Sequence, residues 1–255
     1  MKLLRFRSKK KEEKVGWLND DMIGLIEGDL FSEYRRLEAN IPLALVQLLE
    51  PIQPSKIICI GRNYVEHARE QNVEVPDVPE IFLKPISALL PQNGTILLPP
   101  QSQKVEHEAE LVAVIGKRGR WIPAEEAHKY ILGYTVGNDV TARDLQYRDA
   151  QWTRGKGFDT FCPIGPWIET DLDPADVLIT CKVNSELRQM ASTKEMVFTI
   201  PQLVAFISSV MTLDPGDLIF TGTPAGVGAL NAGDRAEITI EGIGTLVNQV
   251  GLENR

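Results

Sequence analysis

Residues 105–116, Val-Glu-His-Glu-Ala-Glu-Leu-Val-Ala-Val-Ile-Gly, form a strand-like apolar run that carries carboxylates in its first half. Side chains alternate between the two faces of a strand, so Glu108 and Glu110 point to the same face. Val112 and Val114 continue that face, which indicates that it is covered. Two like charges close together on a covered face are costly unless a positive charge lies between them. The pattern therefore predicts a strand that supplies ligands to a divalent cation.

A second apolar run, Gly133 to Gln146, is interrupted by Asp139, the candidate for a third carboxylate at this site. Three carboxylates with water form the all-oxygen shell that Mg²⁺ and Mn²⁺ prefer. A helix cap or turn is the alternative role for Asp139, and spacing alone leaves both open. Asp144 lies three residues after Thr141 and is expected to complete a capping box there.

His67 and Glu70 lie three residues apart and share one face of a short helix predicted after Gly61. Asn63 is expected to cap that helix, with Glu66 as its capping-box partner. A carboxylate that orients an imidazole produces a general base near neutral pH. Surface His–Glu pairs are also common. On its own, the spacing therefore makes the pair only a candidate for activating water.

Sites built on imidazole or on a nucleophilic serine are not expected. The chain has three histidines, and His107 points to the face opposite Glu108, which disfavours zinc or iron. No serine lies in a G-x-S-x-G elbow, so a Ser–His–Asp triad is not supported.

A glycine-rich loop, Gly222 to Gly228, follows the strand predicted at Asp217–Thr221. Its backbone N–H groups are able to wrap an anion, but the loop lacks the lysine and hydroxyl of a phosphate loop. A tight turn with several positive-φ positions is the alternative.

The order of strand and turn signals indicates an α+β, β-rich fold and not an alternating βαβ chain. Residues 1–54 are expected to form a small β-rich N-terminal unit, and residues 55–255 a larger catalytic domain of short strands with a few flanking helices. The helices are predicted at Ile41–Leu49, Pro123–Leu132 and Pro201–Met211, the last behind Thr199.

Charge and cysteine usage exclude several classes of partner. The net charge of −8 disfavours nucleic acid and anionic membranes. No apolar run approaches the roughly 20 residues of a membrane span. The three cysteines are scattered and odd in number, which is typical of a cytoplasmic protein with reduced thiols.

Several motifs together resemble the fumarylacetoacetate hydrolase family, over about residues 56–250 and in the same order. Together they are specific, although each alone is weak. The matching stretches are Ile60–Tyr64 (IGRNY), Phe82–Pro85 (FLKP), His107–Leu111 (HEAEL), Asp139–Gln146 (DVTARDLQ), Arg154–Phe158 (RGKGF), Val183–Arg188 (VNSELR) and Gly222–Gly228 (GTPAGVG).

The resemblance implies a fold and a set of site residues. The fold would be a mixed β-sandwich roll, usually a homodimer, preceded here by a small β-rich extension. The metal ligands for Mg²⁺ or Mn²⁺ would be Glu108, Glu110 and Asp139. The water-activating dyad would be His67 and Glu70 on a lid helix. The active-site lysine would be Lys156, and the substrate contacts Arg62, Arg143, Gln146 and Thr223.

The function implied is chemistry on a 2-oxo acid through its enolate. Hydrolysis of the C–C bond of a 3-acylpyruvate is the leading expectation, because the histidine dyad is suited to activating water. Isomerisation of 2-hydroxyhepta-2,4-diene-1,7-dioate, tautomerisation of oxaloacetate and decarboxylation of oxaloacetate use the same enolate and remain alternatives. A non-catalytic carboxylate- or metal-binding protein is the alternative from another class. Segment 70–79 and the surroundings of Trp152 and Phe158 are expected to select the acyl group.

Overall fold

In the computed structural model, which describes residues 1–253, the chain forms three β-sheets with few helices. The predicted β-rich fold is confirmed. No helix within these residues is both long and apolar enough to span a membrane. The α-helices are α1 (Val65–Glu70), α2 (Arg143–Arg148), α3 (Thr153–Lys156) and α4 (Ile200–Val210), and short 3₁₀ turns occur at Leu43–Leu45, Ile86–Ala88, Ala124–Lys129, Pro174–Asp176 and Thr193–Glu195.

The largest sheet has twelve strands and is mostly antiparallel. Its main path, in spatial order, is β4 (Tyr34–Pro42), β3 (Met22–Gly28), β2 (Glu13–Asn19), β1 (Lys2–Arg7), β14 (Cys162–Glu169), β12 (Ile131–Asn138), β11 (Ala109–Ile115), β17 (Leu218–Phe220), β6 (Ile57–Gly61) and β7 (Glu80–Lys84). Off this path, β5 (Gln47–Leu48) pairs with β1, and β8 (Leu89–Leu90) pairs with β14.

Two smaller sheets complete the architecture. One contains β13 (Thr141–Ala142), β10 (Val105–His107) and β18 (Gly228–Ala229), and the other contains β16 (Glu186–Ser192), β15 (Leu178–Val183), β19 (Arg235–Ile240), β20 (Gly244–Leu252) and β9 (Thr95–Leu98). In the three-stranded sheet, His107 pairs with Gly228. The strand that precedes Glu108 therefore lies beside the end of the glycine-rich loop.

Strand β11 lies inside the largest sheet, and every one of its residues is buried. It pairs with β12 on one side and with β17 on the other. Leu111 and Ala113 pack into one apolar cluster, while Val112 and Val114 pack into a second cluster. A strand covered on both faces carries a nearly continuous apolar sequence, as this one does after Glu110. The prediction that the face of Val112 and Val114 is covered is confirmed.

The first strands join the same sheet as the rest of the chain. Strand β1 pairs with β14 in the register Lys2 with Glu169 and Leu3 with Ile168. Strands β2, β3 and β4 then extend the sheet outward. The division of the chain at residue 54 stays a prediction.

Of the helices predicted at Ile41–Leu49, Pro123–Leu132 and Pro201–Met211, the first two differ from the structure. Residues 41–49 are not helical: β4 runs to Pro42, a 3₁₀ turn follows, and β5 pairs with β1. Pairing with neighbouring strands outweighs the local apolar pattern there. The helix predicted at Pro123–Leu132 is a 3₁₀ turn over Ala124–Lys129, because Ile131 already begins β12. The third helix, α4, agrees within one residue, and Gln202 Oε1 accepts the Thr199 N–H at 2.8 Å.

Both predicted caps near the site are wrong. Helix α1 is capped at Tyr64 without a side-chain hydrogen bond. Asn63 instead binds the backbone of two distant segments, donating to Thr221 O at 2.7 Å and accepting from Phe198 N at 2.7 Å. Asp144 accepts from Ser102 Oγ at 2.5 Å, so it ties α2 to another loop and does not complete a capping box.

Candidate active site

The three predicted carboxylates lie together where β11 begins and β12 ends. Ala109 pairs with Asn138, so the start of one strand lies beside the end of the other. Glu108, Glu110 and Asp139 each offer a carboxylate oxygen, and these oxygens lie within 4.8 Å of one another. All three side chains are buried. The arrangement offers an all-oxygen ligand set to a hard divalent cation.

Two lysines and an arginine contact this carboxylate cluster. Lys156 Nζ donates to Glu108 Oε2 at 2.8 Å and to Asp139 Oδ2 at 2.6 Å. Lys84 Nζ donates to the other oxygen of Asp139, at 2.5 Å. Arg143 Nη2 donates to Glu108 Oε1. Since both oxygens of Asp139 bind lysines, the alternative in which Asp139 caps a helix is wrong.

Glu110 differs from the other two carboxylates because no cationic side chain within residues 1–253 forms an ion pair with it. Its Oε2 accepts the backbone N–H of Gly222 at 2.7 Å. Burial, together with the charges of Asp139 and Glu108, raises the pKa of Glu110 well above its ordinary value. Glu110 is therefore the carboxylate of the cluster whose ionisation needs a further cation.

The neighbouring pair Glu108 and Lys156 is held in its charged form. Burial opposes ionisation of Glu108, but Lys156 and Arg143 outweigh it and hold the pKa of Glu108 well below its usual range. Burial alone would lower the pKa of Lys156, whereas the charges of Asp139 and Glu108 raise it. Opposite charges at these distances favour the ionised forms of both partners.

The predicted dyad forms on α1. His67 is buried, and its Nδ1 lies 3.3 Å from Glu70 Oε2. Its other ring nitrogen, Nε2, lies 2.9 Å from Gln71 Nε2. Burial, aided by the charge of Arg143, lowers the pKa of His67 below its ordinary value. The imidazole is therefore neutral near pH 7 and can accept a proton.

The glycine-rich loop joins the dyad to the carboxylate cluster. Gly222 has φ of 97° and Gly226 has φ of 96°, which favours glycine at both positions. The Gly222 N–H binds Glu110, as described above, and the Gly226 N–H lies 3.2 Å from each oxygen of Glu70. The loop is thus a turn of the predicted kind whose N–H groups bind carboxylates of the protein itself.

One cleft brings most of the predicted residues together. Glu70 and Asp139 contact residues of its wall without lining it. The predicted residues that line the cleft are Arg62, His67, Glu108, Glu110, Arg143, Gln146, Lys156 and Thr223, and the remaining wall is formed by Ile60, Gly61, Gln71, Phe82 and Trp152.

The sequence prediction did not include Lys84 or the contact of Gln71 with His67, and it misplaced Phe158. Lys84 belongs to the quoted stretch Phe82–Pro85, and a lysine ending an apolar strand is a signal for a buried anionic partner. Gln71 lies in segment 70–79, which was expected to select the acyl group, but no signal marked its contact with His67, because a polar residue at a helix end is ordinarily solvated. Trp152 lines the cleft as expected, whereas Phe158 packs against Phe161 with ring centroids 5.3 Å apart and does not line it.

Comparison with known proteins assigns the family. Residues 56–251 match the family described as "Fumarylacetoacetate (FAA) hydrolase C-terminal", and residues 1–51 match the family described as "Rv2993c-like, N-terminal". The chain is 45% identical to the mitochondrial oxaloacetate tautomerase FAHD2B of Bos taurus over 223 residues, which is 82% of this chain and 71% of that protein.

Solved structures of related enzymes have the same fold as this chain. The crystal structure of 2-hydroxyhepta-2,4-diene-1,7-dioate isomerase from Mycobacterium marinum has a TM-score of 0.92 at 44% identity, covering 100% of both chains. Maleylpyruvate hydrolase from Sphingobium sp. SYK-6, solved with manganese(II) and pyruvate, has a TM-score of 0.83 at 33% identity, again covering 100% of both chains. The family match, the sequence identity and the shared fold together make this chain an enzyme of the fumarylacetoacetate hydrolase family.

Proposed function

We propose that this enzyme interconverts the enol and keto forms of a 2-oxo acid of the oxaloacetate class. The observation that carries the proposal is His67, a neutral base in the same cleft as the carboxylate cluster. Proton transfer at one carbon needs a single base and no attacking water, and this cleft supplies that base. The relative named oxaloacetate tautomerase and the isomerase structure support this reaction.

The proposed ligands of a resident Mg²⁺ or Mn²⁺ are Glu108, Glu110 and Asp139. The residues fit such a cation because their donor set is entirely oxygen and buried, and because Glu110 has no cationic side chain beside it within residues 1–253. The manganese(II) complex of the maleylpyruvate hydrolase supports the same assignment. When bound, the cation supplies a Lewis acid that withdraws electron density from the oxygens of a 2-oxo acid.

His67 is the proposed base. Its Nε2 takes a proton from C3 of the keto form, and the C–H electron pair becomes the C2–C3 double bond of the enolate. Protonation of the C2 oxygen gives the enol, and the reverse sequence gives the keto form. Glu70, 3.3 Å from Nδ1, fixes the ring orientation and stabilises the imidazolium that forms.

The cationic wall of the cleft is proposed to bind the substrate. Lys156 and Arg143 place positive charge where a 2-oxo acid and its enolate are negative. The proposed contacts to the substrate's remaining polar groups are Arg62, Gln146 and Thr223. A homodimer and a cytoplasmic location stay predictions from the sequence.

Hydrolysis of a 3-acylpyruvate is the second candidate. The dyad of His67 and Glu70 is also able to activate water, and the maleylpyruvate hydrolase shares the fold over the whole chain. Decarboxylation of oxaloacetate would need the enolate but no base, so it leaves His67 without a role.

The test is to mix enol-oxaloacetate with Mg²⁺-loaded enzyme and to follow the loss of enol absorbance in the ultraviolet. We expect acceleration over the spontaneous rate, lost in His67→Asn. A parallel proton NMR experiment with acetylpyruvate tests hydrolysis through the appearance of acetate and pyruvate. Cleavage without accelerated tautomerisation would replace the proposal by the second candidate, and absence of both would overturn both.

A further inference from the structure

The side-chain amide of Gln71 contacts the basic ring nitrogen of His67. Gln71 lines the cleft, and its Nε2 lies 2.9 Å from Nε2 of His67. The carboxylate of Glu70 is an acceptor only, so the hydrogen between it and His67 Nδ1 lies on Nδ1. A neutral imidazole with its hydrogen on Nδ1 has its lone pair on Nε2. Gln71 therefore donates to the lone pair that must accept a proton during catalysis.

The end of α1 fixes this contact. The Gln71 backbone N–H donates to His67 O at 3.2 Å, so backbone and side chain bind the same residue. Asn72 then takes the left-handed conformation, with φ of 56°, and Val73 N–H donates to Ala68 O at 3.0 Å. This hydrogen-bond pattern closes the helix immediately after Gln71. The amide is thus attached to the cleft wall by an ordered helix end.

The position that Gln71 fills is the one that an activated water would need. A water whose proton passes to His67 must lie within hydrogen-bond distance of Nε2, as the Gln71 amide does now. A substrate whose reacting carbon is held by the rest of the cleft can displace the amide through rotation of the Gln71 side chain, while the backbone of the helix end stays in place. A small, unanchored water would have to compete with an amide attached to the same helix.

We infer that Gln71 excludes water from Nε2 of His67 and so directs the enzyme to tautomerisation instead of acyl cleavage. The inference rests on the proposed function and names the residue that selects the reaction. In cleavage, water adds its oxygen to the distal carbonyl of an acylpyruvate and gives a proton to Nε2. The C3–C4 electron pair then becomes the pyruvate enolate, which takes up that proton, leaving a carboxylic acid and pyruvate. Tautomerisation uses the same base and enolate without the added water.

The experiment compares two substitutions of different volume. Gln71→Ala opens the space beside Nε2, whereas Gln71→Met fills it at the same length without a hydrogen bond. For each Mg²⁺-loaded protein, kcat/KM is measured for acetylpyruvate cleavage and for tautomerisation of enol-oxaloacetate, with spontaneous rates subtracted. The ratio of the two values is the readout, because a general structural defect lowers both together.

We expect the ratio of cleavage to tautomerisation to rise at least about fivefold in Gln71→Ala and to stay within about twofold of the unaltered enzyme in Gln71→Met. An unchanged ratio in Gln71→Ala would overturn the inference, and so would an equal rise in both variants. If the unaltered enzyme tautomerises nothing, the proposed function itself fails, and the inference fails with it.

Discussion

Glu70 on α1 and Gly226 in the glycine-rich loop are joined by hydrogen bonds of 3.2 Å from the Gly226 N–H to both carboxylate oxygens. The same carboxylate holds Nδ1 of His67. The position of the base on the helix is therefore set by a loop whose first residue, Gly222, binds Glu110 of the carboxylate cluster. The helix that carries His67 and the strand that carries Glu110 are therefore both held by hydrogen bonds to the glycine-rich loop.

Replacing Glu70 with Gln keeps the shape of the side chain but removes the negative charge that stabilises protonated His67. We expect kcat for tautomerisation to fall by about 10²-fold, within the range that general bases contribute, with a smaller change in KM. Steady-state kinetics measure this. Glu66→Gln is the matched control, since Glu66 is on the same helix and exposed. Equal activity in Glu70→Gln and the unaltered enzyme would remove Glu70 from the dyad.

The pH dependence of kcat/KM follows from the environment of His67. Burial is the largest cause that lowers the pKa of His67 from 6.5, Arg143 adds to it, and Glu108 and Glu70 act in the opposite direction. Only the neutral imidazole accepts a proton, so we expect kcat/KM to fall as the pH is lowered, with the midpoint of the fall below 6.5. Glu70→Gln removes one charge that raises the pKa, so its fall should begin at still lower pH. A rate profile between about pH 5 and about pH 8 measures both, and a fall centred above pH 6.5 would contradict the lowered pKa.

Glu110→Gln is expected to change metal affinity and stability in opposite directions. The substitution preserves an acceptor for Gly222 but removes a carboxyl group whose ionisation is opposed by burial and by the charges of Asp139 and Glu108. We expect the Mn²⁺ affinity to fall by about tenfold or more, because a ligand charge is lost. The free energy of unfolding of the metal-free protein should rise by about 1 kcal/mol near pH 7, because a carboxyl whose pKa is raised by folding destabilises the native state at that pH and an amide does not. Calorimetric titration and urea unfolding measure the two effects, and unaltered Mn²⁺ affinity would exclude Glu110 from the ligand set.

Lys156→Met is expected to make the stability of the enzyme depend on a divalent cation. It leaves the buried carboxylates of Glu108 and Asp139 without the ammonium that bridges them. Removing one partner of a buried ion pair costs about 3–5 kcal/mol, so the metal-free variant should be destabilised by about that amount. Mn²⁺ should restore more stability to the variant than it adds to the unaltered protein. Urea unfolding with and without Mn²⁺ tests this against the exposed control Lys194→Met, and equal stability of the two variants would contradict it.

Gly222→Ala tests the glycine-rich loop, which is hydrogen-bonded to the carboxylates of Glu70 and Glu110. A Cβ on Gly222 would lie 2.6 Å from the Cβ of Asn63, at a φ of 97°. Gly233 has φ of 94°, but a Cβ there would meet nothing within 4 Å, so Gly233→Ala isolates the cost of the backbone conformation. We expect Gly233→Ala to lower the free energy of unfolding by about 1–2 kcal/mol and Gly222→Ala to lower it further. Equal losses in urea unfolding would show that the Asn63 contact relaxes freely.

The geometry of the carboxylate cluster could be predicted from sequence to a large extent. Alternation along a strand is a local property, so the shared face of Glu108 and Glu110 followed from their spacing alone. The position of Asp139 depended on the pairing of β12 with β11, which no local pattern encodes. For Asp139, spacing left the roles of helix cap and metal ligand equally open, and the resemblance to the family favoured the role of metal ligand.

The wrong predictions of local structure have a common physical cause. Segments distant in the sequence form hydrogen bonds with the same side chains and backbone groups that the local pattern assigned to a helix or a cap. Asn63 has a residue type that suits a helix cap, yet its amide binds the backbone at Thr221 and Phe198. Residues 41–49 have a helical apolar pattern, yet their backbone is used by neighbouring strands. The contact of Gln71 with His67 is local in sequence but depends on the side-chain orientation at a helix end, which residue type alone does not determine.

The pairing of β1 with β14 has a consequence for synthesis on the ribosome. Leu3 finds its partner, Ile168, only after more than half of the chain has been made. Until then β1 has β2 and β5 beside it but cannot enter the twelve-stranded sheet. Contacts of such large sequence separation form slowly, and an unpaired strand edge exposed in the meantime is prone to aggregate. During synthesis the nascent N-terminal hairpins therefore have an unpaired strand edge until β14 has emerged.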